Sequence, residues 1–295
     1  MNHPALAGHV PAPGAHTAHV GDSSIGGLLL ESGKITPENA ERVLRMQKEL
    51  GIRFGEAAQR LGLITEADIE QVLARQFNYP YLPRGTGNFS DKLLAAYEPF
   101  GQQVETLRAI RSQLMLRWFA RGHKALVVVS INADDGAAIF AANLAVVFSQ
   151  LGEQTLLVDA NLRAPQQQEF FGLKGRQGLS DLLAGRGDLD AIAKIDSFVA
   201  LSVMSAGTLP PNPQELLSRT SFATLNEQVA SRYDVVLYDV APFSSGSDAL
   251  AVAARAGGAL LVARKNATGL ADLATFAEQL ERNGVEIVGT VMQEF

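Results

Sequence analysis

The segment Ser130-Ile-Asn-Ala-Asp-Asp135-Gly136-Ala137-Ala138-Ile-Phe-Ala-Ala-Asn143-Leu-Ala follows an apolar run and opens a helical one, so its context is strand, loop, helix. A loop in that place presents the backbone N–H groups of a helix N-terminus, which suit an anion such as a phosphate. Two aspartates lie further on, each closing an apolar run: Asp159 after Leu156-Leu-Val and Asp239 after Val235-Val-Leu-Tyr. Strand-end carboxylates are common by themselves; their order after a strand–loop–helix unit makes them informative. Other chemistries have little material. The chain has no cysteine, which removes disulfides, thiolate metal sites and a thiol nucleophile. His3, His9, His16 and His19 all lie near the start, which leaves only His123 for histidine-based catalysis.

These residues need a scaffold, and the pattern supplies one. From residue 124 onward, strand-like runs at 125–129, 155–158, 199–204, 235–238, 259–263 and 287–292 alternate with amphipathic segments. That alternation predicts an α/β domain with a doubly wound parallel sheet. A helix over 102–119 precedes it, with Val104, Leu107, Ile110, Leu114 and Trp118 on one stripe. Within it, Glu105 and Arg108 share a face, and read alone they make a solvated ion pair. Residues 83–101, with Pro83, Gly85, Gly87 and Pro99, read as a linker holding one short helix at 91–96.

The length of 295 residues fits one large and one smaller domain, and 47% hydrophobic with 19% charged residues is ordinary for a globular chain. A net charge of −6 argues against nucleic acid as a partner. No apolar run approaches the roughly 18–20 residues that span a bilayer. Residues 1–21, rich in His, Pro, Ala and Gly, have no basic start and no apolar stretch. They read as a disordered tail rather than a secretory signal.

An internal repeat follows the tail. Residues 24–47 and 53–76 align, with Gly26 matching Gly55, Gly33 matching Gly62, Ile35 matching Ile64, Leu44 matching Leu73 and Gln47 matching Gln76. Each copy predicts a short helix ended by glycine, a threonine cap (Thr36, Thr65) and a longer amphipathic helix with Glu38 or Glu66 in its first turn. This pair, with its spacer at 48–52, resembles the MshEN domain of type II secretion and pilus assembly ATPases, which gives a small all-α domain over residues 22–82. The resemblance implies cyclic di-GMP as a ligand, with contacts on Arg53, Gly55, Gly62, Leu63 and Gln76 of the second copy. The first copy departs from the motif: Ser24 stands where it has arginine and Lys34 where it has leucine. A docking module without a ligand is the alternative.

The rest of the chain, residues 102–295, resembles the P-loop domain of bacterial tyrosine kinases, which shares its fold with MinD and ParA. Glu105, Arg108 and Arg111 match the ExxRxxR element that mediates ring formation there. The loop resembles SxxPGEGKS/TxxAANLA, with Gly136 on the final glycine, Ala137 in place of the lysine, Ala138 in place of the Ser/Thr, and Asp134 and Asp135 beside them. Leu156–Pro165 resembles the Walker A′ segment hhhDxDxRxP, keeping Asp159 but carrying Asn161 for the second aspartate. Asp239 matches Walker B and is the candidate Mg²⁺ ligand, Asp248 matches a further acidic position, and Gln293 replaces the asparagine of GxVLNxF that lies by the base. The resemblance therefore implies a nucleotide site (Asp135, Gly136, Ala137, Ala138, Asn161, Gln293) whose catalytic carboxylates, Asp159 and Asp239, are vestigial. ATP or ADP with Mg²⁺ would bind weakly, because the lysine reaches the β/γ-phosphates and the hydroxyl reaches the metal.

An MshEN-like domain on this core looks like the chain-length-determinant-associated kinases of exopolysaccharide clusters, the EpsG type. That implies a cytoplasmic protein, peripheral at the inner membrane through a chain-length-determinant partner, able to form homo-oligomers. The five tyrosines (Tyr79, Tyr81, Tyr97, Tyr233, Tyr238) make no terminal cluster of the kind many such kinases use. Three functions stay open: a pseudokinase adaptor, an active kinase with an unusual loop in which Asp134 and Asp135 help to hold metal, and a MinD/ParA-like spatial organiser.

Overall fold

Short helices ended by left-handed glycines build the first of two units into which the chain divides, Met1–Tyr79 and Pro80–Phe295. The structure is a computed structural model that describes residues 24–76, 80–83 and 87–294; the expected tail over 1–21 lies outside them. Each repeat copy folds as a helix pair: α1 (Ile25–Glu31) with α2 (Pro37–Leu50), then α3 (Phe54–Arg60) with α4 (Glu66–Gln76). Thr36 Oγ1 accepts from Asn39 N at 3.3 Å. Thr65 and Asp68 cap α4 reciprocally, Asp68 Oδ2 accepting from Thr65 N at 2.9 Å and Thr65 Oγ1 from Asp68 N at 3.3 Å. Gly33 (φ 68°) and Gly62 (φ 66°) turn the chain after α1 and α3, a conformation that a Cβ penalises. Leu29, Val43, Ala57, Ala58 and Val72 form the core of this unit.

Lys34, which departs from the repeat motif, has a structural partner. Its Nζ lies 2.7 Å from Asp68 Oδ1, joining the turn of the first copy to the cap of the second. The hydrogen bond from Lys34, and then that from the Thr65 N–H, pull the Asp68 carboxyl down to about 2. This contribution is present above the ordinary carboxylate value and is lost as pH falls through about 2.

In the second unit a seven-stranded sheet has the order β3-β4-β2-β5-β1-β6-β7. The strands are β1 (Ala125–Ser130), β2 (Thr155–Ala160), β3 (Ala193–Lys194), β4 (Leu201–Met204), β5 (Val235–Val240), β6 (Gly258–Arg264) and β7 (Glu286–Gln293). All pairs are parallel except β3 with β4. The antiparallel β3, two residues long and partly exposed, has no counterpart in the expected strands; the other six agree within two residues at each end.

Helices cover both faces of the sheet, so β1 is buried throughout and has no polar side. Leu126 and Val128 join one core with α6 (Gln102–Arg117) and α7 (Ala137–Gln150). Val127 and Val129 join the other, which takes in residues of helices at Leu179–Leu183, Pro213–Leu217, Thr220–Ala230, Asp248–Ala256 and Leu270–Arg282. Trp118, just past α6, lies against the start of β6: its indole Nε1 donates to Ala125 O at 2.9 Å, and a Cβ at Gly258 would lie 2.4 Å from the ring.

The segment expected to be a linker is instead part of this core. Leu93, Ala95 and Ala96 are fully buried, around the short helix α5 (Leu94–Tyr97). Asn143, on α7, holds it: Oδ1 accepts from Ala95 N at 2.8 Å, while Nδ2 donates to Lys92 O at 3.1 Å and Ile139 O at 3.0 Å. Proline and glycine give this stretch the composition of a linker, but three small or apolar residues between Gly87 and Pro99 supply the burial that a linker lacks. Asn143→Ala leaves the Ala95 N–H buried without an acceptor, at a cost of about 1–3 kcal/mol. Native-state hydrogen exchange should show lost protection at Ala95; unchanged protection would refute this role.

Candidate functional site

The strand order places the carboxyl ends of β1, β2 and β5 side by side, and the candidate residues sit there. β1 runs into a 3₁₀ turn at Ala133–Asp135, and Gly136 (φ 83°, ψ 17°) makes the left-handed step into α7. The turn is closed by its own anion. Asp135 is buried and its Oδ2 accepts from Asn132 N at 2.9 Å. Ser130 Oγ donates to Asn132 O at 2.8 Å. An N–H that an open loop would present to phosphate is thus already used, and a carboxylate sits within the turn. Asp134 is exposed. Ala137 and Ala138 begin α7 and offer neither an amine nor a hydroxyl.

Asp159 and Asp239 are directly opposite in the β2–β5 register, and both are buried. Asp159 is well supplied with donors: Oδ1 accepts from Asn161 N at 3.2 Å, and Oδ2 from Gln166 N at 3.0 Å and Gln167 N at 2.9 Å. Burial nevertheless pushes its carboxyl up to about 6. Burial, then the charge of Asp159, holds Asp239 well above the usual carboxylate range. Two facing carboxylates in an apolar setting retain a proton where isolated ones would not. Asn161 serves the turn, its Oδ1 accepting from Ala164 N at 3.1 Å. Arg163 grips the buried Asp248 with two bonds, Nε to Oδ2 at 2.6 Å and Nη2 to Oδ1 at 3.0 Å.

Sequence reasoning did not single out Gln167. This fully buried residue opens the short helix Gln167–Phe170, and its Nε2 donates to Asp239 Oδ2 at 2.7 Å and to Ala138 O at 3.0 Å. A glutamine two residues after a proline carries no signal of such a role. Gln293 ends β7; its backbone O accepts from Lys265 N at 2.9 Å, and its Oε1 is buried without a partner. It lines a largely apolar cleft of about 630 Å³ with Leu107 and Ile110 of α6 and Ile139 and Phe140 of α7. Gln293 is therefore apart from the carboxylate pair's hydrogen-bond network.

On α6, Arg108 pairs with Glu105, and Arg111 Nη1 donates to Val147 O at 2.7 Å, tying α6 to α7. Of the residues that the repeat assigns to cyclic di-GMP, Gly55 is explained by close packing, since a Cβ there would lie 3.0 Å from Ile69 Cδ1. Gly62 is explained by its backbone conformation, and Leu63 packs against the helical core. Arg53 is exposed, and the side chain of Gln76 lies outside the described residues.

A seven-stranded, mostly parallel sheet with a glycine-bearing loop after β1, an aspartate on the adjacent β5 and another on β2 one strand further defines a P-loop NTPase-like protein. No protein-family model matches the sequence. The kinase domain of Escherichia coli tyrosine kinase ETK aligns with a TM-score of 0.67 at 30% identity, covering 74% of this chain and 85% of that one. The chain belongs to the bacterial tyrosine kinase family. Tyrosine-protein kinase wzc of Salmonella typhimurium is 32% identical over 201 residues, which are 68% of this chain and 28% of that protein; the chain thus spans under a third of such relatives. MinD of Pyrococcus horikoshii, in its complex with Mg-ADP, shares the fold alone, with a TM-score of 0.51 at 22% identity over 58% of this chain and 70% of that one.

The residues do not fit a Mg²⁺ ion held by a loop hydroxyl and a strand-end carboxylate. Ala138 has no hydroxyl, and Asp239 Oδ2 already takes a bond from Gln167. Among the described residues no group of three or more His, Cys, Asp or Glu side chains is placed to hold a metal. The raised carboxyl of Asp159 has a pH consequence. Its contribution is fully present below the ordinary value of 3.8 and is lost as pH rises through about 6. Measured against Asp159→Asn in urea titrations, the wild type should therefore lose relative stability between those values; a pH-independent difference would refute the assignment.

Proposed function

We propose that this chain is a pseudokinase adaptor of bacterial exopolysaccharide assembly. It would dock, as a cytoplasmic protein, on an inner-membrane chain-length determinant and affect polymer length and export. Among the described residues no helix is long and apolar enough to cross a membrane. The observation that carries the reading is the start of α7: a family fold with Ala137 and Ala138 where phosphate and metal chemistry need a lysine and a hydroxyl.

The cost of the change is large. Unit charges 4 Å apart attract by about 4 kcal/mol at an effective dielectric of about 20, and the lysine's share of that is gone. Asn161 adds to the loss, because an amide cannot serve as a base. The alternative of an active kinase that uses Asp134 and Asp135 for metal gains no support, since Asp135 is committed to the Asn132 N–H. Homo-oligomers through the Glu105–Arg111 face of α6 and a cyclic di-GMP input at the N-terminal unit belong to this reading on the strength of the motifs alone.

The test is an anti-phosphotyrosine assay on purified protein with ATP and Mg²⁺, alone and with a kinase-active relative as positive control. No incorporation above that of Asp239→Ala is expected. Incorporation that Asp239→Ala abolishes would establish the active-kinase alternative instead.

A further inference from the structure

Gln167 is the residue that the family resemblance leaves unexplained, and it touches three parts of the site at once. Its backbone N–H donates to Asp159 Oδ2, and its side-chain amide bridges Asp239 Oδ2 and Ala138 O. Both bonded oxygens are acceptors, so the end of the amide that faces them is the nitrogen, and its two hydrogens are both spent. The side chain is fully buried, so these bonds do not compete with bulk water.

We propose that Gln167 closes the metal position, its amide replacing the cation and the loop hydroxyl together as the partner of Asp239. The inference deepens the pseudokinase reading and rests on it for the identity of the loop. Three elements that a nucleotide–metal complex would otherwise draw together (the start of α7, the end of β5 and the turn after β2) are joined here by one neutral side chain. Ala138 is part of the device: with a small side chain in place of a hydroxyl, its carbonyl is bonded by the glutamine while Asp239 turns to the same nitrogen. The two oxygens left over, Asp239 Oδ1 and Gln167 Oε1, are buried without partners. A cation on Asp239 Oδ2 has to break the Gln167 bond first.

Two arms test this. In the wild type, the Gln167 side-chain amide protons, identified by their disappearance in Gln167→Ala, should be protected from solvent exchange and unmoved by Mg²⁺ with ADP. Fast exchange, or a shift on adding Mg²⁺, overturns the inference and needs no destabilising variant. In Gln167→Ala, Mn²⁺ added alone and followed by its paramagnetic resonance should bind roughly tenfold tighter than in wild type, the factor set by freeing Asp239 Oδ2 from one buried hydrogen bond. Asp239→Asn in that background should abolish the gain; equal Mn²⁺ binding in wild type and Gln167→Ala overturns the inference. The outcomes separate the two readings. Kinase activity with a Gln167 amide insensitive to Mg²⁺ removes the pseudokinase reading alone, whereas an inactive protein whose Gln167 amide is displaced by Mg²⁺ removes this inference alone.

Discussion

Two carboxylates buried side by side must be satisfied from within the chain, and the surrounding loops are arranged around that requirement. Parallel pairing of β2 with β5 sets Asp159 opposite Asp239 with no exposure to water. Solvating even one such group from inside takes several donors. Asp159 draws three from the turn that follows β2, which fixes residues 161–167, and Asp239 draws one from the side chain that this turn delivers. The same turn aims Arg163 at Asp248, so a third buried carboxylate, on the helix after β5, is paired from the same direction.

This arrangement separates fold from chemistry. The sheet order, the left-handed glycine before α7 and the aspartates at the strand ends each have a structural role here. The departures from the motifs that the sequence resembles include Ala137, Ala138, Asn161 and Gln293. Asn161 is absorbed into local structure by a bond from Ala164 N, and the loop by the Asp135 carboxylate.

Much of the fold was legible because its signals are long and repeated. Six apolar strand-like runs alternating with helices specify a parallel sheet, and a repeat with glycines and threonines in register specifies helix pairs. The short antiparallel β3 escaped because two partly exposed residues carry no periodicity. The stretch before α6 was misread because turn residues outnumber the three, Leu93, Ala95 and Ala96, that anchor it, and because its main tether, Asn143, lies 48 residues from its partner Ala95. In the site, the candidate aspartates were visible as strand ends. Gln167 was not, since its role comes from the β2–β5 register and a turn geometry that no local pattern encodes; nor was the Lys34–Asp68 pair, which depends on how one repeat copy meets the other.

The central claim is that the site has lost the charge and the metal position that nucleotide binding needs, and calorimetric titration of the full chain with ADP, with and without Mg²⁺, tests it most directly. The account predicts no saturable heat in the micromolar range and no difference between the two titrations. Micromolar binding that requires Mg²⁺ and disappears in Asp239→Ala would contradict it, and would mean that the loop has been rebuilt rather than lost.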